Sequence, residues 1–113
     1  MYIAKPKKAA KRRGHRDPVS PEVAEFVAEQ DGMCVMAILD SNHTCRDRWG
    51  NEIHPAGEYE LDHIYTLGIG RRGPSTPENL VRLCPWGHRE KTDNARRWRP
   101  ALGAWAAGRT QRL

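Results

Sequence analysis

Residues 58–92 read EYELDHIYTLGIGRRGPSTPENLVRLCPWGHREKT, and this stretch sets the fold expected of the chain. Glu58 to Ile64 alternates as a strand does, with Tyr59, Leu61 and His63 on one face and Glu60, Asp62 and Ile64 on the other. Asp62 and His63 then face opposite ways and take separate tasks, unless the strand end is distorted. Residues 68–78, GIGRRGPSTPE, form a loop rich in Gly and Pro, and Asn79 to Cys84 reads as the returning strand. A hairpin loop of that length marks function more often than filler. Its glycines lack the spacing of a nucleotide-cradling loop, and it joins two antiparallel strands rather than a strand and a helix. After Cys84-Pro85 helix formers begin near Trp86. Pro100 is expected to end or kink that helix, leaving Ala101 to Ala107 as a second short piece with Leu102 and Trp105 on one side.

Upstream, Ser20-Pro21-Glu22 followed by Val23, Phe26 and Val27 predicts a helix with Ser20 as N-cap and Pro21 at the first position, ending at Asp31-Gly32. The apolar run MCVMAI over 33–38 reads as a short buried strand, and residues 40–57 read as loop. The tryptophans Trp49, Trp86, Trp98 and Trp105 are expected to pack into the core or against helices, since aromatic side chains mostly serve burial.

The 113 residues suit one modest core. The net charge of +5 is unevenly spread. Residues 1–16 hold seven Lys or Arg and no acid, residues 17–88 five against twelve acids, and residues 89–113 seven against two. Basic ends around an acidic middle suit a body that grips a polyanion while its carboxylates hold cations. No apolar run is long enough to span a membrane, and no apolar stretch follows the basic start as a secretory signal would require, so a cytoplasmic location is expected. Three cysteines in such a compartment favour metal binding or burial over disulfides.

Hydrolysis of a phosphodiester needs a deprotonated water on one side of phosphorus and stabilised negative charge on the other. An imidazole titrating near neutrality, such as His63, can take the water's proton. One carboxylate and one imidazole, Asp62 and His88, can hold a divalent cation and leave positions open for phosphate oxygens.

The ordered series Asp62-His63, Asn79-Leu80, Cys84, His88 and Lys91-Thr92 resembles the HNH endonuclease family over residues 61–92, and the layout is similar to that of small HNH proteins of bacterial viruses. The resemblance implies an α+β fold: a ββα-metal unit with an N-terminal helix and a C-terminal helical extension. A single nuclease domain is expected over residues 19–113, with its core motif at 58–97, behind a basic disordered tail over residues 1–18. It further implies a metal-dependent DNA endonuclease of low sequence specificity, leaving 5′-phosphate and 3′-hydroxyl ends. Asp62 and His88 are the implied ligands of one divalent ion (Mg, Mn, Zn or Ni), His63 the general base, and Asn79 the residue that orients His63 through the loop or assists the metal. Arg71 and Arg72 on the loop, with Arg89 and Lys91 beside His88, are expected to contact the DNA backbone. A phage terminase is a further implied partner.

The chain departs from the family where a second Cys-x-x-Cys pair would stand, because Gly87 occupies the expected cysteine position, and Cys34 and Cys45 are eleven apart. A four-cysteine zinc site is therefore excluded. Cys34, Cys45 and Cys84 with His43 or His54 would still make a Cys3His structural zinc site, while a metal-free cluster of buried thiols, or recruitment of His88 to that zinc, are the alternatives. Thr92 stands where some relatives carry another histidine. The competing function is a zinc-stabilised DNA-binding module without catalysis.

Overall fold

A computed structural model describes residues 18–68 and 71–109, and within them the chain is an α+β fold of helices and two small antiparallel sheets. The basic tail expected over residues 1–18 lies almost wholly outside the described residues. Among the described residues no helix is long and apolar enough to cross a membrane.

The first helix, α1 (Pro21–Asp31), begins as its sequence predicts: Ser20 Oγ accepts the Val23 N–H at 3.2 Å, and Pro21 occupies the first turn. Gly32 ends it at φ 75°, a left-handed conformation that favours glycine. Residues expected as a buried strand instead form α2 (Val35–Leu39), a single helical turn. The Cys34 carbonyl accepts the N–H groups of Ala37 and Ile38, and the Met36 carbonyl accepts that of Asp40. With no strand alongside to pair with, an apolar run this short satisfies its backbone locally, and periodicity alone cannot separate the two states. Residues 40–57 are loop apart from one bridge between Arg46 and Glu52.

The hairpin pairs β1 (Glu60–His63) with β4 (Leu80–Leu83), placing Asp62 opposite Val81 and His63 opposite Leu80. The intervening loop carries a smaller hairpin of β2 (Thr66–Gly68) and β3 (Arg71–Arg72), and a 3-10 turn over Pro77–Asn79 leads into β4. Helix α3 (Pro85–Asp93) follows directly, with Cys84 as its N-cap and the Cys84 Sγ accepting the Gly87 N–H at 3.1 Å.

The expected break at Pro100 is absent. The chain turns at Asn94, and α4 (Ala95–Ala107) runs through Pro100. The carbonyl that Pro100 leaves without an N–H belongs to Arg96; both residues are exposed, so water can satisfy it. Trp98, Leu102 and Ala106 line the buried stripe of α4 and join Ile64, Val81, Leu83, Met36 and the three cysteines in one core. Trp98 is buried and Trp105 half-buried, as expected, whereas Trp49 is 79% exposed and Trp86 38% exposed. Neither of these last two is a core residue. Trp49 lies at the tip of a turn where no apolar layer reaches.

A buried ionic knot closes the molecule behind the hairpin. Asp31 accepts from Trp105 Nε1 at 2.8 Å, from the Arg82 N–H at 3.0 Å, and from Arg109 Nε at 3.1 Å. The same Arg109 guanidinium donates to the carbonyls of Leu80 and Pro77. This fixes the end of α1, the start of β4 and the end of α4 against one another.

Candidate functional site

Asp62 points from β1 toward α3 and is almost fully buried. Its Oδ1 lies 2.6 Å from His88 Nδ1, and its Oδ2 lies 3.1 Å from Lys91 Nζ. His88 and Lys91 are one helical turn apart on α3, so both face the hairpin. The Asp62 carboxylate holds the His88 imidazole above the ordinary histidine pKa. The short contact pairs the Asp62 carboxylate with the His88 imidazole, two side chains of the kinds that ligate one cation. Glu60 Oε1, two residues back on β1, stands 4.0 Å from the same His88 nitrogen.

His63 ends β1. Its Nε2 is 2.9 Å from Ser75 Oγ across the loop, and its carbonyl accepts from Lys91 Nζ at 2.8 Å. Although strand alternation turns Asp62 and His63 apart, one open groove takes in both, together with Thr66, Arg71, Arg72, His88 and Lys91. Arg71 and Arg72 are exposed along it. Lys91, expected at the surface as a phosphate contact, is buried: its charge is spent on Asp62 and the His63 carbonyl. Arg89 is exposed but follows Trp86 round α3, on the side away from His88 and Lys91.

Asn79 is buried, and its side chain clasps the loop. Oδ1 accepts the Tyr65 N–H at 2.9 Å, and Nδ2 donates to the Tyr65 and Pro74 carbonyls at 3.0 and 2.9 Å. The chain on both sides of the small hairpin is thereby tied to β4, which holds the segment just beyond His63 and that just before Ser75. Gly73 makes this approach feasible, because a Cβ there would sit 2.1 Å from the Tyr65 oxygen and 2.8 Å from Asn79 Nδ2.

On the other side of α3 the ligand atoms of Cys34, His43, Cys45 and Cys84 all lie within 4.8 Å of one another, a Cys3His cluster that could hold a metal ion such as zinc. No disulfide joins these cysteines. His43 Nε2 is 3.4 Å from Cys84 Sγ and 3.9 Å from Cys34 Sγ, close to the ~3.5–3.8 Å that a tetrahedral zinc with ordinary bond lengths imposes on its ligands. His54, the alternative fourth ligand, instead accepts the Ala56 N–H on Nδ1. His88 is committed to Asp62 and takes no part. Gly87 packs against the cluster, where a Cβ would lie 3.4 Å from both Cys34 and Cys84 Sγ. Gly87 thus lies next to the thiols, and His43 from the loop is the fourth donor of the set.

The Cys84 thiol is pulled far down by the neighbouring Cys34 thiol, by His43 and by backbone N–H groups, whereas the Cys34 thiol is pushed up by Cys84 and by burial. A cation would complete this set of thiols and imidazole. Glu90 Oε1 stands 3.4 Å from the outer nitrogen of His43, Nδ1. Neither this carboxylate nor Lys91's link to Asp62 was anticipated, although the spacing of Lys91 three residues after His88 carries that information.

Comparison with protein-family models, with curated proteins and with solved structures yields no match.

Proposed function

We propose that the chain is a metal-dependent DNA endonuclease of the HNH type, in which β1, β4 and α3 form a ββα-metal unit. The observation that carries this reading is the convergence of Asp62 and His88, beside His63, in a groove edged by Arg71 and Arg72. Asp62 and His88 would hold one divalent ion, drawn from Mg, Mn, Zn or Ni. When bound, such an ion neutralises charge on the phosphate and on the departing oxygen.

His63 takes a proton from the attacking water on Nδ1 or Nε2. Ser75 and the Lys91 bond to the His63 carbonyl limit the swing of the ring and of its backbone. Lys91 screens Asp62 Oδ2 and leaves Oδ1 for the cation. Arg71 and Arg72 draw the phosphate backbone into the groove, a sequence-independent attraction that fits low specificity. Asn79 acts on the loop that frames the base. The Cys3His cluster would hold a structural zinc that supports α3 from its other side. A terminase partner and a phage origin follow only from the family resemblance.

The cluster also favours a second reading, a zinc-stabilised DNA-binding module without catalysis. The two separate on supercoiled plasmid, treated with wild type and His63→Ala after each divalent ion is added in turn. The enzyme reading expects metal-dependent nicking by wild type and none by the variant. Intact plasmid under every ion, with DNA still bound, would favour the module.

A further inference from the structure

The small hairpin of β2 and β3 and the facing side of α4 carry positive charge without acids of their own. No Asp or Glu stands between Asp62 and Glu78 in the sequence, and none occurs within α4. Asp62 itself is spent on His88 and Lys91. Arg97, two residues from Arg99 and so on another side of α4, pairs with Asp40 at 3.8 Å. Among the described residues no carboxylate pairs with Arg71, Arg72 or Arg99.

Arg99 reaches from α4 to the hairpin. Its Nε donates to the Ile64 carbonyl at 3.2 Å, one residue past His63, and its Nη2 donates to Thr66 Oγ1 at 3.5 Å. Tyr65 fastens the two elements: its hydroxyl donates to the Arg99 carbonyl at 3.3 Å, and a Cβ at Gly103 would stand 3.2 Å from its ring. Thr66 pairs across the hairpin with Arg72, and both line the groove of Asp62 and His63. Thr66 is thus the shared neighbour of Arg72 and Arg99. A guanidinium carries more N–H donors than these two bonds use, and its planar fork matches the oxygens of a phosphate.

We propose that Arg72, Thr66 and Arg99 form a seat for one DNA phosphate at the edge of the groove, with Arg99 supplied by α4 from outside the stretch that resembles the nuclease motif. Because Arg99 also holds the Ile64 carbonyl, a strand seated there is held in register with His63. A phosphate carries no base identity, so the seat positions the strand without reading its sequence. The seat rests on the reading that DNA enters the groove, and it does not require catalysis.

The test uses the full chain with His63→Ala, so that binding is measured without cutting, and fluorescent duplexes of two unrelated sequences, titrated between about 50 and 200 mM salt. Arg99→Gln should weaken both duplexes alike and lower the slope of log affinity against log salt by about 0.9, the share of one phosphate contact. Arg99→Lys, which keeps the charge, should keep the slope. Thr66→Glu and Leu67→Glu guard against misfolding, since both positions are exposed and receive the same charge. Thr66 lines the groove, whereas Leu67, 61% exposed, alternates to the other face of the hairpin. Thr66→Glu should therefore cost roughly 10-fold or more in affinity, and Leu67→Glu no more than about threefold. An unchanged slope in Arg99→Gln, or equal losses from the two glutamates, would overturn the seat. Intact plasmid under every metal ion, with duplex still bound by wild type, would instead count against catalysis and leave these comparisons intact.

Discussion

On the proposed reading, a proton and a metal ion compete for His88 Nδ1. Because Asp62 raises its pKa, the metal-free imidazole stays protonated to a higher pH than an ordinary histidine, and a cation must displace that proton to bind. The concentration of Mn or Mg giving half-maximal nicking should therefore rise as pH falls from 8 to 6, by up to ~10-fold per unit where His88 is mostly protonated. A metal requirement independent of pH would show that His88 is not a ligand. Gly73 offers a second test. An alanine there drives its Cβ into the Tyr65 carbonyl that Asn79 holds. Gly73→Ala should cost about 1–3 kcal/mol in urea unfolding by breaking the clasp, and should slow nicking beyond the loss of folded protein.

Among the elements, α3 is the one on which both sites depend. Cys84 at its N-cap and Glu90 serve the cluster, and His88 and Lys91 serve the groove. A carboxylate on the outer nitrogen of a ligating histidine fixes its tautomer and raises its basicity. Glu90→Ala should therefore lower zinc affinity about 10- to 100-fold in competition with a chromogenic chelator. Affinity equal to wild type would mean that Glu90 is only a surface neighbour. Much of this layer was readable from residue order. Ser20, Pro21 and Gly32 announce α1, and the alternation around Asp62 announces β1. The MCVMAI run was misread because a five-residue helix and a buried strand share a pattern. Pro100 misled because its cost depends on whether water reaches the orphaned carbonyl, which is a property of the packed molecule.

At the scale of the whole molecule, the least legible feature was the knot of Asp31 and Arg109. These residues are distant in sequence, and nothing local to Asp31 distinguishes it from a helix-ending acid. Both are buried, so removing one partner strands the other's charge. Arg109→Leu should destabilise the protein by roughly 3–5 kcal/mol, read as a lower urea midpoint, while the Asp31→Asn and Arg109→Leu pair should cost less than the sum of the two. Additive losses would mean that the contact does not couple α1 to α4. The cluster of Cys34, His43, Cys45 and Cys84 was legible as a donor set, but the choice of His43 over His54 was not. It depends on a loop that folds back across α3, with His54 turned to its own Ala56 N–H.

On the nuclease reading, His88 belongs to the groove with Asp62 and not to the cysteine cluster. The most direct test is plasmid nicking by wild type and His88→Ala, each first shown by metal analysis to hold its zinc. His88→Ala is expected to keep the same zinc content as wild type and to lose nicking by at least about 100-fold. Nicking at the wild-type rate, or loss of the zinc on substitution, would contradict it.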